Sequence, residues 1–314
     1  MYLYKDKGMI QSPLNYTGGK FKLLPQILPL FPKSINVFID LFCGGCNVGL
    51  NVNSNRVVYN DLNENLLRLY NIFKNAEKGS VLDFIYQIID KYELSLVSKN
   101  GYRFYDCEST NGLGKYNKEK YIKLRNDFNE MYRKGFLDNY YYIMLYVLIV
   151  YGFNNQIRFN GRGEFNLPVG KRDFNKKMEQ KLCSFIDKIQ NQNCSFTCLD
   201  FRDFPISDLT TQDFVYVDPP YLITCATYNE QDGWNVEYEK YLLSFLDKLH
   251  KNNIRFALSN VLLNKGKRNE ILIDWLNNNR NKYKIKRLDY NYSNSNYQTK
   301  DKTTVPEEVL IINY

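Results

Sequence analysis

The chain has 314 residues, of which 44% are hydrophobic and 16% aromatic, enough apolar material for a core and against global disorder. Its formal charge of +8 suits an anionic partner, and 27 Tyr and 20 Phe among the basic residues offer faces that stack on bases, although an AT-rich genome encodes the same composition. Seven scattered Cys and no secretory segment lead us to expect reduced thiols in a cytoplasmic protein; no apolar run is long enough to span a membrane, and a single His250 excludes His-rich metal sites.

Asn15-Tyr16-Thr17-Gly18-Gly19-Lys20 precedes an apolar segment punctuated by Pro25, Pro29 and Pro32, and reads equally as a small-ligand loop or a capped turn. Asn36–Leu41 is the first predicted strand, and Asp40-Leu41-Phe42-Cys43-Gly44-Gly45-Cys46 turns out of it. Arg56–Asn60 is the second strand, with Asp61 at its tip. Helices are predicted at Asn63–Ala76, Val81–Leu94, Tyr116–Tyr132, Asn139–Tyr151 and Asn175–Gln190. From Glu77 to Asn193 the strand-helix alternation stops, which predicts an inserted helical subdomain. Within it, Gln156–Asn160 and Glu164–Leu167 flank Gly161-Arg162-Gly163 as a basic β-hairpin. Alternation resumes with strands at Phe214–Val217 and Ile254–Ser259, a helix at Glu237–Lys251 and a last strand at Val309–Asn313. The polar stretch Tyr290–Glu308 reads as a loop before that strand. The pattern predicts an α/β fold: one domain over 1–76 and 194–314, with residues 77–193 inserted.

Asp218-Pro219-Pro220-Tyr221 follows directly on the strand Phe214–Val217. Two prolines end the ladder and stiffen the loop, so that a carboxylate and an aromatic ring project from the strand's carboxyl edge. Such a pair suits one chemistry well. An exocyclic amine of a base is a weak nucleophile because its lone pair is delocalised; a carboxylate and a proline carbonyl that accept its hydrogens draw the nitrogen towards tetrahedral geometry, while the ring stacks on the extruded base. A turn whose aspartate caps a helix competes with this reading. Gly44 and Gly45 let a backbone approach a ligand, and Asp61 at the next strand tip offers an acceptor for ribose hydroxyls, which together outline an adenosine-containing cofactor site. An N-cap on the following helix is the plain alternative for Asp61. Cys43 and Cys46 form a short Cys-x-x-Cys spacing with no histidine near, and no metal is expected.

In the order Tyr16–Lys20, Phe42–Cys46, the Gly152–Lys171 hairpin and Asp218–Tyr221, the chain resembles the Dam-type, α-group DNA adenine-N6 methyltransferases from about Ser12 to Tyr314. The resemblance implies a Rossmann-like S-adenosylmethionine-dependent domain with a helical target-recognition insertion, acting on a flipped adenine in double-stranded DNA. It implies that Tyr16, Lys20, Phe42, Gly44, Asp61 and Asp218 contact S-adenosylmethionine, and that Asp218, Pro219, Pro220 and Tyr221 form the reaction centre. It places Asn154, Arg158, Pro168 and Lys171 against DNA, with Arg158 as a bidentate base reader or a phosphate clamp. Cytosine-N4 or RNA methylation, and a non-catalytic DNA binder, are the alternatives. The chain departs from the family pattern at Cys46, where Gly is usual, at Tyr16, where Trp is common, and at Asn15, where GATC-methylating relatives often carry Lys. GATC is therefore only the family's commonest target. A monomer is expected, in a bacterial cell or a phage-infected host, as a restriction-modification, phage or regulatory methylase, with a restriction endonuclease of the same site as one candidate partner.

Overall fold

The computed structural model describes residues 8–16, 18–224, 233–289 and 306–314. The predicted loop Tyr290–Glu308 falls mostly outside them, but its last two residues, Glu307 and Glu308, belong to a strand. The sheet is built from β1 (Val37–Asp40), β2 (Arg56–Asn60), β3 (Cys194–Thr197), β4 (Phe214–Val217), β5 (Arg255–Asn264), β6 (Lys267–Arg268), β7 (Lys284–Leu288) and β8 (Glu307–Ile312). Their order is β3-β2-β1-β4-β5-β8-β7, with β6 paired to β5 alone. The strands from β3 to β5 run parallel, and β8 lies antiparallel between β5 and β7. This is the α/β sheet the alternation predicted, in the Rossmann-like form the resemblance implied. The winding reverses between β1 and β4, and in such sheets ligands sit at the carboxyl ends of the strands beside the reversal. Asp40 ends β1 and Asp218 follows β4, so the topology brings both acidic residues to that point.

The chain forms two compact units. The first comprises residues 1–9, 20–62 and 193–314. Its strand β4 is β-branched and aromatic and fully buried, as a parallel strand covered on both faces must be. Leu242, Leu246 and Leu249 of α8 (Val236–Lys251) and Trp275 of α9 (Glu270–Asn278) pack with Val215, Val217, Phe256 and Leu258. Each such buried side chain contributes about 1.5–3 kcal/mol. Short helical turns, including α1 (Leu24–Ile27), replace the proline-punctuated N-terminal segment.

The second unit comprises residues 10–19 and 63–192 and is helical. It holds α2 (Glu64–Asn75), α3 (Lys78–Lys91), α4 (Val97–Asn100), α5 (Thr110–Lys134), α6 (Asn139–Tyr151) and α7 (Lys176–Asn191). Helix α6 is apolar on every side and buried from Tyr141 to Tyr151, and α2, α3 and α5 pack around it. Helix α2, which the sequence pattern assigns to the segment 1–76, packs with α6 and α7. Asn63, not Asp61, caps α2, accepting from the Leu66 N–H at 3.2 Å. Among the described residues no helix is long and apolar enough to cross a membrane.

Candidate active site

The segment after β4 makes a turn in which Pro219 is buried and Pro220 exposed. Among the described residues Asp218 caps no helix. Its Oδ1 lies 2.9 Å from the Lys20 ammonium and accepts the Tyr221 hydroxyl at 2.9 Å. Lys20 is itself buried and stands 4.9 Å from the centre of the Tyr221 ring. Burial first, then the Asp218 charge, push the Tyr221 hydroxyl's pKa well up, so it stays a neutral donor. Beneath this group the Tyr216 hydroxyl and Ser259 Oγ are 2.8 Å apart.

The glycine loop is tied to β2. The Cys43 N–H donates to the Asn60 carbonyl at 2.8 Å, and the Gly44 N–H donates to Asp61 Oδ2 at 2.9 Å. Gly44 has φ +43° and Cys46 φ +61°, and the Cys46 N–H closes the turn on the Cys43 carbonyl at 2.6 Å. Cys46 thus holds a backbone conformation that favours glycine. Both cysteines are free and buried, and burial pushes both thiols up, so neither is poised as a thiolate. Phe42 is half-buried against Phe201 and Trp234, with ring centres 5.6 and 5.8 Å away.

The loop also rests on two residues that sequence reasoning missed. Asn60 Nδ2 donates to the Leu41 and Leu199 carbonyls, while its Oδ1 accepts from Thr197 Oγ1 and the Leu199 N–H, fastening three strand ends with one side chain. Asp40 is buried and accepts the Gly49 N–H at 3.1 Å. Burial, joined by the charges of Asp218 and Asp61 and opposed by the Gly49 bond, pushes its pKa from 3.8 up to about 8. Unfolded, the same carboxyl ionises near 3.8, so across the interval from there to about 8 the folded state holds a proton the unfolded chain has lost. That contribution to stability is complete below the lower value and disappears as pH rises through the upper one. We expect Asp40→Asn, which has no proton to lose, to flatten the fall in melting temperature between about pH 4 and pH 8. Identical slopes for the two proteins would show that Asp40 carries no such proton.

In the second unit the expected hairpin is a tight loop rather than a continuous ladder. Its pairing is limited to isolated bridges at Gly152–Val169 and Phe159–Phe165. Side chains of α5 do the remaining work: Asn129 both donates to the Phe165 carbonyl and accepts its N–H, and Arg125 donates to the Leu167 carbonyl at 3.1 Å. Arg158 is exposed, and its Nε and Nη2 donate to Asn166 Oδ1 and the Asn166 carbonyl, each at 2.8 Å. Asn154 holds φ +53°, and its carbonyl accepts Asn15 Nδ2 at 3.3 Å. Pro168 and Lys171 are exposed, and the Pro168 carbonyl accepts the Phe153 N–H at 2.8 Å.

Residues 16–294 match the family described as D12 class N6 adenine-specific DNA methyltransferase. The chain belongs to this family. It is 40% identical over 315 residues to the modification methylase StsI of Streptococcus sanguinis, a match covering 98% of this chain and 43% of that protein. The type II methyltransferase M.FokI of Planomicrobium okeanokoites is also 40% identical, over 99% of this chain and 44% of its own length. The DNA adenine methylase of Escherichia coli (strain K12) is 29% identical over 79% of each chain. The chain thus spans less than half the length of the first two relatives.

For a D12 class chain, the structure brings together Lys20, Asp218 and Tyr221 directly, and joins Gly44 to Asp61. Tyr16 lies in the second unit, where its carbonyl accepts the Gly19 N–H at 3.1 Å. The pairing of Lys20 with Asp218 spans 198 positions and leaves no local pattern in the sequence. Asn60 and Asp40 were passed over because each reads as the polar end of a strand.

Proposed function

We propose that this chain transfers a methyl group from S-adenosylmethionine to the N6 amine of an adenine extruded from duplex DNA, protecting a short site against a partner endonuclease. One observation carries the reading: a carboxylate held at the tip of β4, across the sheet's reversal point from a glycine loop bonded to a second carboxylate. The residues fit the cofactor. A small-residue loop with positive φ at Gly44 admits close approach of a ligand, and a carboxylate accepts several hydrogen bonds, which suits Asp61 to ribose hydroxyls. S-adenosylmethionine supplies an electrophilic methyl on a sulfonium centre, whose positive charge suits an acidic crevice.

The chain's own residues then prepare the nucleophile. Among the described residues both contacts to Asp218 fall on Oδ1, so we assign the adenine amine to Oδ2, with a proline carbonyl of the turn taking its other hydrogen. The carboxylate pulls the nitrogen's lone pair out of conjugation and stabilises the positive charge that grows there. Tyr221 covers the base, its hydroxyl anchored on Asp218. In the second unit, Asn154, Arg158, Pro168 and Lys171 meet the duplex. The names of the relatives as modification methylases favour pairing with a restriction enzyme.

Two measurements test this. Calorimetric titration with S-adenosylmethionine should give saturable binding; none would favour an inactive DNA-binding relative. Arg158→Ala should weaken binding to the proper site by about 1–3 kcal/mol while affecting random duplex less, as expected for a base contact. Equal losses on both duplexes would make Arg158 a phosphate contact, and no loss on either would confine it to bracing Asn166.

A further inference from the structure

Lys20 serves two carboxylates. Its Nζ lies 2.9 Å from Asp218 Oδ1 and 3.8 Å from Glu308 Oε1. The Lys20 and Glu308 side chains are 5% and 2% exposed, so these charges meet away from bulk water. Glu308 stands on β8 opposite Val261 of β5, and its Oε1 lies 3.8 Å from the ammonium that Asp218 holds, which places it beside the reaction centre. No step proposed above uses it.

A buried ammonium bonded to one carboxylate cancels it. A neutral pair is a poor acceptor for an amine on which positive charge is growing, whereas two carboxylates around one ammonium keep a net negative charge facing the crevice. We infer that Glu308 is a positioning residue for methyl transfer: it shares Lys20 with Asp218, so that Asp218 keeps the negative character its role requires. The inference rests on the reading that Asp218 accepts the target amine. Glu308 itself touches neither base nor cofactor in this account. Its effect passes through Lys20.

The consequence is an unusual charge logic. Glu308→Gln leaves Lys20 and Asp218 as a balanced pair, which favours folding but neutralises the acceptor. Glu308→Asp keeps the second negative charge on β8 and so separates loss of charge from loss of the glutamate's packing. The test is steady-state methyl transfer to duplex DNA at saturating S-adenosylmethionine, with melting temperatures for each variant. Glu308→Gln should lower kcat at least about tenfold, short of the hundredfold typical when a direct electrostatic partner is lost, with KM for DNA little changed. Glu308→Asp, which keeps the second negative charge, should turn over faster than Glu308→Gln. Wild-type kcat in Glu308→Gln, or a Glu308→Asp no faster than it, would overturn the inference. If Glu308→Gln does not fold, Glu308→Asp decides alone: turnover within about tenfold of wild type supports the inference and loss of turnover overturns it. An inactive Asp218→Ala beside a fully active Glu308→Gln would leave the Asp218 reading standing and remove only Glu308; an active Asp218→Ala would remove both.

Discussion

Asp218→Ala is expected to lower methyl transfer at least about a hundredfold, the usual cost of removing a preorganised electrostatic partner from a reacting centre. The fold should survive the change. Asp218 sits in a surface turn closed by two prolines rather than in the core, and Lys20, whose burial would make an orphaned charge costly, keeps Glu308 within 3.8 Å. Tyr221 loses the acceptor of its hydroxyl but keeps its place in the chain. Asp218→Asn sharpens the result, because it preserves size and one acceptor while deleting the charge. If charge is what matters, it should resemble Ala; recovery of most of the turnover by Asn would shift the weight to hydrogen-bond geometry. Methyl incorporation with melting temperature as the folding control distinguishes these outcomes, and turnover near wild type in Asp218→Ala would contradict the proposed mechanism.

Gly170→Ala is expected to have the second large effect, and to act on DNA binding. A Cβ at position 170 would overlap the Gly152 carbonyl oxygen and stand 2.8 Å from the Gly152 carbonyl carbon and 3.2 Å from the Phe153 nitrogen. All three are backbone atoms, which cannot swing aside as a flexible side chain does. The methyl therefore forces apart the base of the loop, where the Gly170 N–H donates to the Tyr151 carbonyl at 2.7 Å and the Phe153 N–H to Pro168 at 2.8 Å. Forced overpacking of this kind costs about 1–3 kcal/mol. Because the loop carries Arg158, Pro168 and Lys171, affinity for duplex should fall about tenfold or more if the base and phosphate contacts are displaced. Cofactor affinity should hold, since Gly44, Asp61 and Asp218 belong to the other unit. Mobility shift and calorimetry check the two halves; retained DNA affinity would remove the loop from the interface.

Much of the fold was legible from residue pattern. The buried runs at β1, β2, β4 and β8 announce themselves by continuous β-branched and aromatic residues, and α6 matches its predicted limits because Asp138 caps it and Gly152 ends it. β3 and β7 were missed for opposite reasons. The first, Cys-Ser-Phe-Thr, is short and half polar, and the second, Lys-Ile-Lys-Arg-Leu, is an exposed edge whose basic residues guard against edge pairing and disguise it as a polar segment. The candidate site was half visible. Asp218 to Tyr221 and the glycine loop are local in sequence, so a reader finds them. The ammonium at Lys20 meets Asp218, and the carboxylate at Glu308 meets Lys20, only through tertiary folding, and nothing in any of these segments points to the others. The hairpin was read as strands because its glycine turn is conspicuous, yet its shape depends on Asn129 and Arg125 from a distant helix.

The most direct test of the central claim is the identity of the methylated base. Duplex DNA incubated with the purified chain and S-adenosylmethionine, then digested to nucleosides and separated by mass spectrometry, should yield N6-methyladenine, and strand-resolved mapping should place it within one short recurring sequence. N4-methylcytosine as the product, or no methylated nucleoside from a protein that binds S-adenosylmethionine and duplex DNA, would contradict it.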